Sequence, residues 1–210
     1  MEPRKSPVQA RSAASVDAIL EATIQVLLQV GKERLTTTKV ADRAGVSVGT
    51  LYQYFPNKSA LLQAVLRRHL TEITEAVELV CTEQQGATPR QMATALITAF
   101  LQAKMKDARK SVAFYSVSSH VDGAKILRQM RARADRAIIR MLETACEPLM
   151  ADPQLVAGLV QGAMTGVSQR LLESNTPADQ FETLRDELIF LVCAYIDACA
   201  ARPSTQDASA

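Results

Sequence analysis

Apolar residues recur at helical spacing along almost the whole chain, and no stretch alternates with the period of two that marks a half-buried strand. Val16, Ile19, Leu20, Thr23, Val26, Leu27 and Val30 line one face of a helix predicted over 15–30, which Gly31 ends. Thr36 is placed to cap a helix over 37–44, where Val40, Ala41 and Ala44 recur. A short helix follows over 48–55. Pro56 stops it, because proline disfavours helical geometry at the preceding Phe55. A longer helix over 57–80 carries Leu61, Leu62, Val65, Leu66, Ile73, Val77 and Val80. Gly86 and Pro89 put a loop across 82–89. Five further helices are predicted over 89–105, 108–119, 124–145, 153–173 and 178–201. Asp122-Gly123, Pro148 to Pro153, and Asn175-Thr176-Pro177 break the last three from their neighbours. The expected fold class is all-α.

The junction Ala44-Gly45-Val46-Ser47 is the most informative turn. Gly45 can take the left-handed conformation that ends a helix cheaply. Ser47 offers a hydroxyl as N-cap for the helix beginning at Val48. Two helices on a tight turn, the second short and carrying small, hydroxyl and aromatic groups, describe a helix-turn-helix that reads a DNA major groove. Val48, Gly49 and Thr50 lie at the first turn of that helix, where base edges are met. Gly49 lets the backbone approach closely, and the hydroxyls of Thr50 and Tyr52 suit phosphate or base. Leu51 and Phe55, four apart, are expected to face inward. Asn57 caps the next helix, and Lys58 at its N-terminus is expected to form a phosphate site with the free amides there. Thr37, Thr38, Ser47 and Tyr54 complete the expected DNA-facing set.

The run Thr36-Thr37, Val40-Ala41, Ala44-Gly45-Val46-Ser47, Gly49-Thr50-Leu51-Tyr52, Tyr54-Phe55, Asn57-Lys58, Leu61-Leu62 resembles the N-terminal signature of TetR-like (tetracycline-repressor-type) transcriptional regulators. The likeness spans roughly residues 15 to 66. Lys39 stands where an acidic residue is common and Thr38 where a larger side chain is common, so no operator sequence is carried over. The resemblance implies a helix-turn-helix domain over 15–56 after a flexible basic arm, 1–14. It implies a helical ligand-binding and dimerisation domain over 57–201, entered through a connecting helix, 57–80, with a disordered tail at 202–210. It also implies a homodimer on double-stranded operator DNA, released by a small-molecule effector that is at least partly apolar, with no enzyme activity, no cofactor and no metal. The alternative is a DNA-bound protein whose C-terminal domain recruits a protein partner and senses no metabolite.

Composition agrees with this. Hydrophobic residues make up 48% of the 210, aromatics only 4%, and Trp is absent, which favours helices rich in Ala and Leu. Residues 1–70 hold ten Lys/Arg against five Asp/Glu; with a net charge of +2 for the whole, the remainder is at −3. A basic head and a mildly acidic body suit DNA binding by the head. No run of 18 uncharged apolar residues occurs, so no membrane span is expected. The first residues lack the apolar core of a secretory signal. Cys81, Cys146, Cys193 and Cys199 show no CxxC spacing, as expected of reduced thiols in a cytoplasmic protein; Cys193 or Cys199 is either a redox sensor or a small buried thiol. Gly45-Val46-Ser47-Val48-Gly49 fits the G-x-S-x-G pattern of serine hydrolases, but a helix precedes it where that chemistry needs a strand.

Two constellations lie in the C-terminal part. Gly158, Gly162 and Gly166 recur on one helical face. They face a partner helix, pack within the subunit, or leave room for a ligand. On the last helix, Leu184, Leu188, Leu191 and Tyr195 belong to a wide apolar face expected at the dimer interface, with a central intrasubunit helix as the alternative. Phe100, Met105, Phe114, Tyr115, Ser118, Met130 and Met164 are candidates to line an effector pocket, with Ser119 and His120 nearby, or else are core.

Overall fold

The computed structural model describes residues 7–118, 123–147, 149, 151–174 and 177–200, and the side chains of these except 7–11, 177, 178, 199 and 200. Residues 1–6 of the expected arm, Ser119, His120, Asp122, Pro148, Asn175, Thr176, the Cys199 side chain and the tail 202–210 lie outside the described residues. The described residues form α1 (Pro7–Arg34), α2 (Thr37–Ala44), α3 (Val48–Tyr54), α4 (Lys58–Glu83), α5 (Pro89–Met105), α6 (Ala108–Ser118), α7 (Gly123–Leu142), α8 (Pro153–Glu173) and α9 (Pro177–Ala200), with no strand among them. The all-α expectation holds.

Two boundaries moved for local reasons. Helix α1 begins at Pro7, not at residue 15, so the flexible arm expected over 1–14 is cut back. Proline suits the first helical position, where its missing N–H costs nothing, and Ala and Gln carry the helix onward. Gly31, at φ 76 and ψ 167, breaks the helical path where expected, although one more turn follows it. Helix α7 stops at Leu142 rather than 145. The Thr144 amide closes on the Met141 carbonyl at 3.0 Å, and Cys146 N–H donates to the Ala87 carbonyl at 3.1 Å, turning the chain aside.

The chain divides into two compact units, Met1–Leu70 with Arg109–Leu127, and Thr71–Ala108 with Arg128–Ala210. The division differs from the break expected at residue 56, since the first turns of α4 and most of α6 join the first unit. Ile19, Leu35, Val40, Leu51, Leu61 and Leu66 are almost wholly buried in it, as are Phe114 and Val117 of α6. Buried His69 of α4 stacks on Phe114, centroids 4.8 Å apart, and its Nε2 meets Ser111 Oγ at 3.3 Å. The segment Ser12–Arg34 is long and apolar enough, by length and composition only, to cross a membrane. Its Ile19, Ile24, Val26 and Leu27 are buried within the fold.

In the second unit α5 packs on α8 and α9, and α8 packs on α9. Met92, Ile97, Leu101, Ile138, Met141 and Met164 centre its core. Thr88 and Gln91 form a reciprocal capping box at the start of α5, with Pro89 in the first turn. At the start of α8 the Asp152 carboxylate accepts the Gln154 amide at 2.9 Å, with Pro153 in the first turn. Both guanidinium nitrogens used by Arg133 of α7 grip Glu78 of α4, the Nε bond measuring 2.6 Å.

Candidate nucleic-acid interface

The first unit builds its helix-turn-helix from caps and two buried anchors. Thr36 Oγ1 accepts the Lys39 amide at 3.3 Å, so α2 starts at Thr37. Val40 and Ala41 are its buried residues. Gly45 sits at φ 68, ψ 29, a left-handed stop that a Cβ would strain. Ser47 Oγ accepts the Thr50 amide at 3.0 Å and opens α3. Within α3 only Leu51 is buried. Phe55 leaves the helix in extended geometry before Pro56.

This anchoring turns the rest of α3 outward. Tyr52 is 47% exposed while Leu51 is 0% exposed. The Tyr52 hydroxyl meets Thr37 Oγ1 at 3.0 Å, tying the exposed ring to the first residue of α2. Thr38, Ser47 and Gly49 are exposed, and Thr37, Val48, Thr50 and Tyr54 half-exposed. A Cβ built on Gly49 would meet only Ser47 Oγ, at 3.7 Å, so nothing inside the protein requires glycine there. Eight of the nine candidate residues therefore keep exposed or half-exposed positions on or beside α2 and α3, and the ninth, Lys58, lies at the start of α4. The Thr50 hydroxyl is turned to Ser47 Oγ at 2.8 Å rather than standing free.

Lys58, half-buried at the start of α4, is engaged within the protein. Its Nζ donates to the Lys32 carbonyl at 2.7 Å and contacts the Glu33 carbonyl at 3.5 Å. The ammonium thus clamps the end of α1, where orphan carbonyls attract a cation. Asn57 does cap α4, accepting the Ala60 amide at 2.8 Å. Lys39 and Arg43 are exposed cations of α2 itself. The Lys39 Nζ donates to the Arg34 carbonyl at 3.0 Å, and the Arg43 Nε donates to Gln25 Oε1 of α1 at 2.7 Å. Only the tertiary fold shows what orients them.

The glycine stripe lies on an exposed face of α8. A Cβ on Gly158, Gly162 or Gly166 would have nothing within 4 Å, which removes packing within the subunit as its cause. Leu155 and Leu159 flank the stripe, 57% and 51% exposed, and α9 adds Phe190 and Leu191 at 71% and 60%. Of the α9 residues expected at an interface, Leu191 is exposed. Leu188 is instead buried in the subunit's own core, and Leu184 and Tyr195 pack against that core. Phe190, outside that set, is also exposed: α9 is apolar on two faces, and periodicity does not say which face turns inward.

The effector candidates fall in both units. Phe100 and Met164 are buried in the core of the second unit, and Met105 packs against it. Half-buried Met130 accepts a 3.8 Å contact from Thr71 Oγ1. Phe114 belongs to the first unit's core, as its stacking on His69 requires. Tyr115 is exposed, and the Ser118 hydroxyl is taken by the Tyr115 carbonyl at 2.7 Å. A cavity of about 290 Å³ lies elsewhere, between Glu78, Cys81, Thr82 and Gln85 of α4 and its extension and Ala137 and Arg140 of α7. Cys81 there has its thiol pushed up to about 12, chiefly by burial and secondarily by Glu78.

Fold and head together define a helical protein of the helix-turn-helix type. The chain belongs to the TetR family: the Tetracyclin repressor-like C-terminal domain matches residues 88–196, and the bacterial regulatory proteins, tetR family, match residues 19–65. It is similar to the transcriptional repressor KstR of Mycobacterium tuberculosis, 42% identical over 73 residues, covering 35% of this chain and 32% of that one. It is similar to the transcriptional regulator BetI of Serratia proteamaculans, 29% identical over 118 residues, covering 55% and 60%. The chain thus spans between about a third and three fifths of the length of these curated relatives. Among solved structures, SmeT, the repressor of the Stenotrophomonas maltophilia multidrug efflux pump SmeDEF, aligns at TM-score 0.69 and 21% identity, covering 90% and 94%. FadR of Bacillus subtilis, solved with stearoyl-CoA, aligns at 0.66 and 17%, covering 83% and 96%. At these identities the structural likeness concerns the fold.

Proposed function

We propose that this chain is a homodimeric transcriptional repressor that binds a palindromic DNA operator through α2 and α3 and is released by a small molecule held in its C-terminal domain. The observation that carries the DNA part is the orientation of α3, with Leu51 enclosed and Tyr52 exposed and hydroxyl-linked to Thr37. A short helix pinned by one buried leucine presents its remaining surface to a groove. Bare Gly49 fits a backbone that something outside approaches. The dimer part rests on exposed Leu155 and Leu159 beside the glycine stripe of α8, and on exposed Phe190 and Leu191 of α9, since exposed apolar residues in number mark interaction sites. In a two-fold pair the same face meets itself, so a Phe190 ring can lie on the partner's smooth glycine stripe.

The effector part draws on the relatives. The Bacillus FadR structure holds stearoyl-CoA, and SmeT represses an efflux pump. An effector with an apolar portion suits the methionines of the C-terminal domain. Such a ligand releases DNA only by binding the released conformation better than the bound one. Recovery of duplexes from a random library by the full-length protein tests the proposal. A palindrome should emerge, and compounds that raise the thermal stability of the protein should displace it. Recovery of no shared sequence would defeat it. Phe100 and Met164 being packed as core favours a second possibility, a C-terminal domain that recruits a protein; a palindrome that no stabilising compound displaces would support that one.

A further inference from the structure

The outward face of α7 carries cations that the helix-turn-helix does not use. This helix holds Lys125, Arg128, Arg131, Arg133, Arg136 and Arg140 against one acid, Asp135, although the chain beyond residue 70 is net acidic. Arg133 is spent on Glu78. The exposed residues of α7 from 128 to 140 are Arg128, Gln129, Arg131, Ala132, Arg136 and Arg140. Among the described residues none of those four guanidiniums is held by a hydrogen bond or ion pair. At 1.5 Å per residue the row is about 18 Å long, and Arg128, Arg136 and Arg140 fall within about 120° around the helix. Asp135 sits between Arg131 and Arg136 and offsets part of the charge.

We propose that this arginine row is a second, sequence-independent contact for the phosphate backbone of duplex DNA. Its chemistry selects among polyanions. The planar guanidinium fork matches phosphate oxygens two at a time. A protein partner would need apolar or aromatic anchors at the centre of the contact, and the row offers only Leu127, 37% exposed at its N-terminal edge. Single-stranded nucleic acid would call for aromatic platforms, equally missing from it. A membrane surface would take up the apolar face of the helix, but Ile138 and Met141 are buried in the core. What remains is a rigid, cationic rod suited to a duplex that carries one charge per ~1.7 Å of axis.

The test uses the full-length protein and a 30-base-pair duplex of random sequence, so it does not depend on operator recognition by α3. Wild type, R128Q/R136Q/R140Q and R128K/R136K/R140K are titrated across a range of salt. The glutamine variant should show a slope of log affinity against log salt shallower by about 2.7 per protomer, from about 0.9 for each of three phosphates released. The lysine variant should keep most of the slope. An unchanged slope in the glutamine variant would overturn the proposal. So would retention of the wild type on immobilised polyglutamate together with that unchanged slope, which would assign the row to an acidic protein.

Discussion

Leu51 and Tyr52 are neighbours in sequence and opposites in environment, and substitutions there should separate folding from recognition. Leu51→Ala removes a fully buried side chain and should cost about 2–5 kcal/mol of stability, read by thermal or urea denaturation. Tyr52→Ala should leave the melting curve nearly unchanged and weaken operator binding. Tyr52→Phe, which loses only the link to Thr37, should fall between wild type and alanine in affinity. Asp135 offers a pH-dependent case. Burial raises its carboxyl above the usual range, against the lowering pull of Arg131 and Arg136, and its Oδ1 is buried without a hydrogen-bond partner among the described residues. A carboxyl raised on folding stabilises the fold when protonated, and that advantage is lost as pH climbs from the ordinary carboxylate range through the raised value. Asp135→Asn should therefore increase the melting temperature at pH 7, and the gain should vanish in acid. No gain at pH 7 would show that the carboxylate is adequately solvated.

At the scale of elements, the joint between α1 and α4 rests on Lys58. Replacing it with alanine leaves the Lys32 and Glu33 carbonyls without their cation, at a cost of about 1–2 kcal/mol. The expected signature is a lower melting temperature with little change in the salt slope of DNA binding. A slope reduced by one phosphate per subunit would return Lys58 to the backbone-contact role expected from its sequence position. Gly49→Ala in α3 should be neutral or mildly favourable for folding, because alanine favours helix over glycine and only Ser47 Oγ lies near the added methyl. A fall in operator affinity without a fall in stability would identify the closeness of an external backbone as the reason for glycine.

For the whole molecule, the decisive variant is Gly162→Leu. A Cβ there has nothing within 4 Å and the position is exposed, so the fold of the single chain should persist. Across a two-fold interface the same change occurs in both partners and overpacks it by about 1–3 kcal/mol per site. Light scattering should show dissociation at concentrations where the wild type is dimeric, and operator affinity should fall with it as two linked heads lose avidity. A variant that stays a tight dimer with normal operator affinity would place the glycine stripe elsewhere.

Local chemistry was enough for the all-α class, the caps at Thr36, Ser47 and Asn57, and the stop at Gly45, because caps and turns act through bonds a few residues long. It also separated buried Leu51 from exposed Tyr52, since one short helix with a single strong apolar position has one way to sit down. Sequence periodicity did not decide the sides of α8 and α9: both helices are apolar or small over most of their circumference, and only packing sends Leu188 inward and Phe190 outward. Nor did it decide where long side chains end. Lys58 reaches back 26 residues to the Lys32 carbonyl, and Phe114 joins the first unit through His69, 45 residues before it in the chain. Such contacts depend on which segments the fold brings within a side chain's length, a property of the tertiary structure alone.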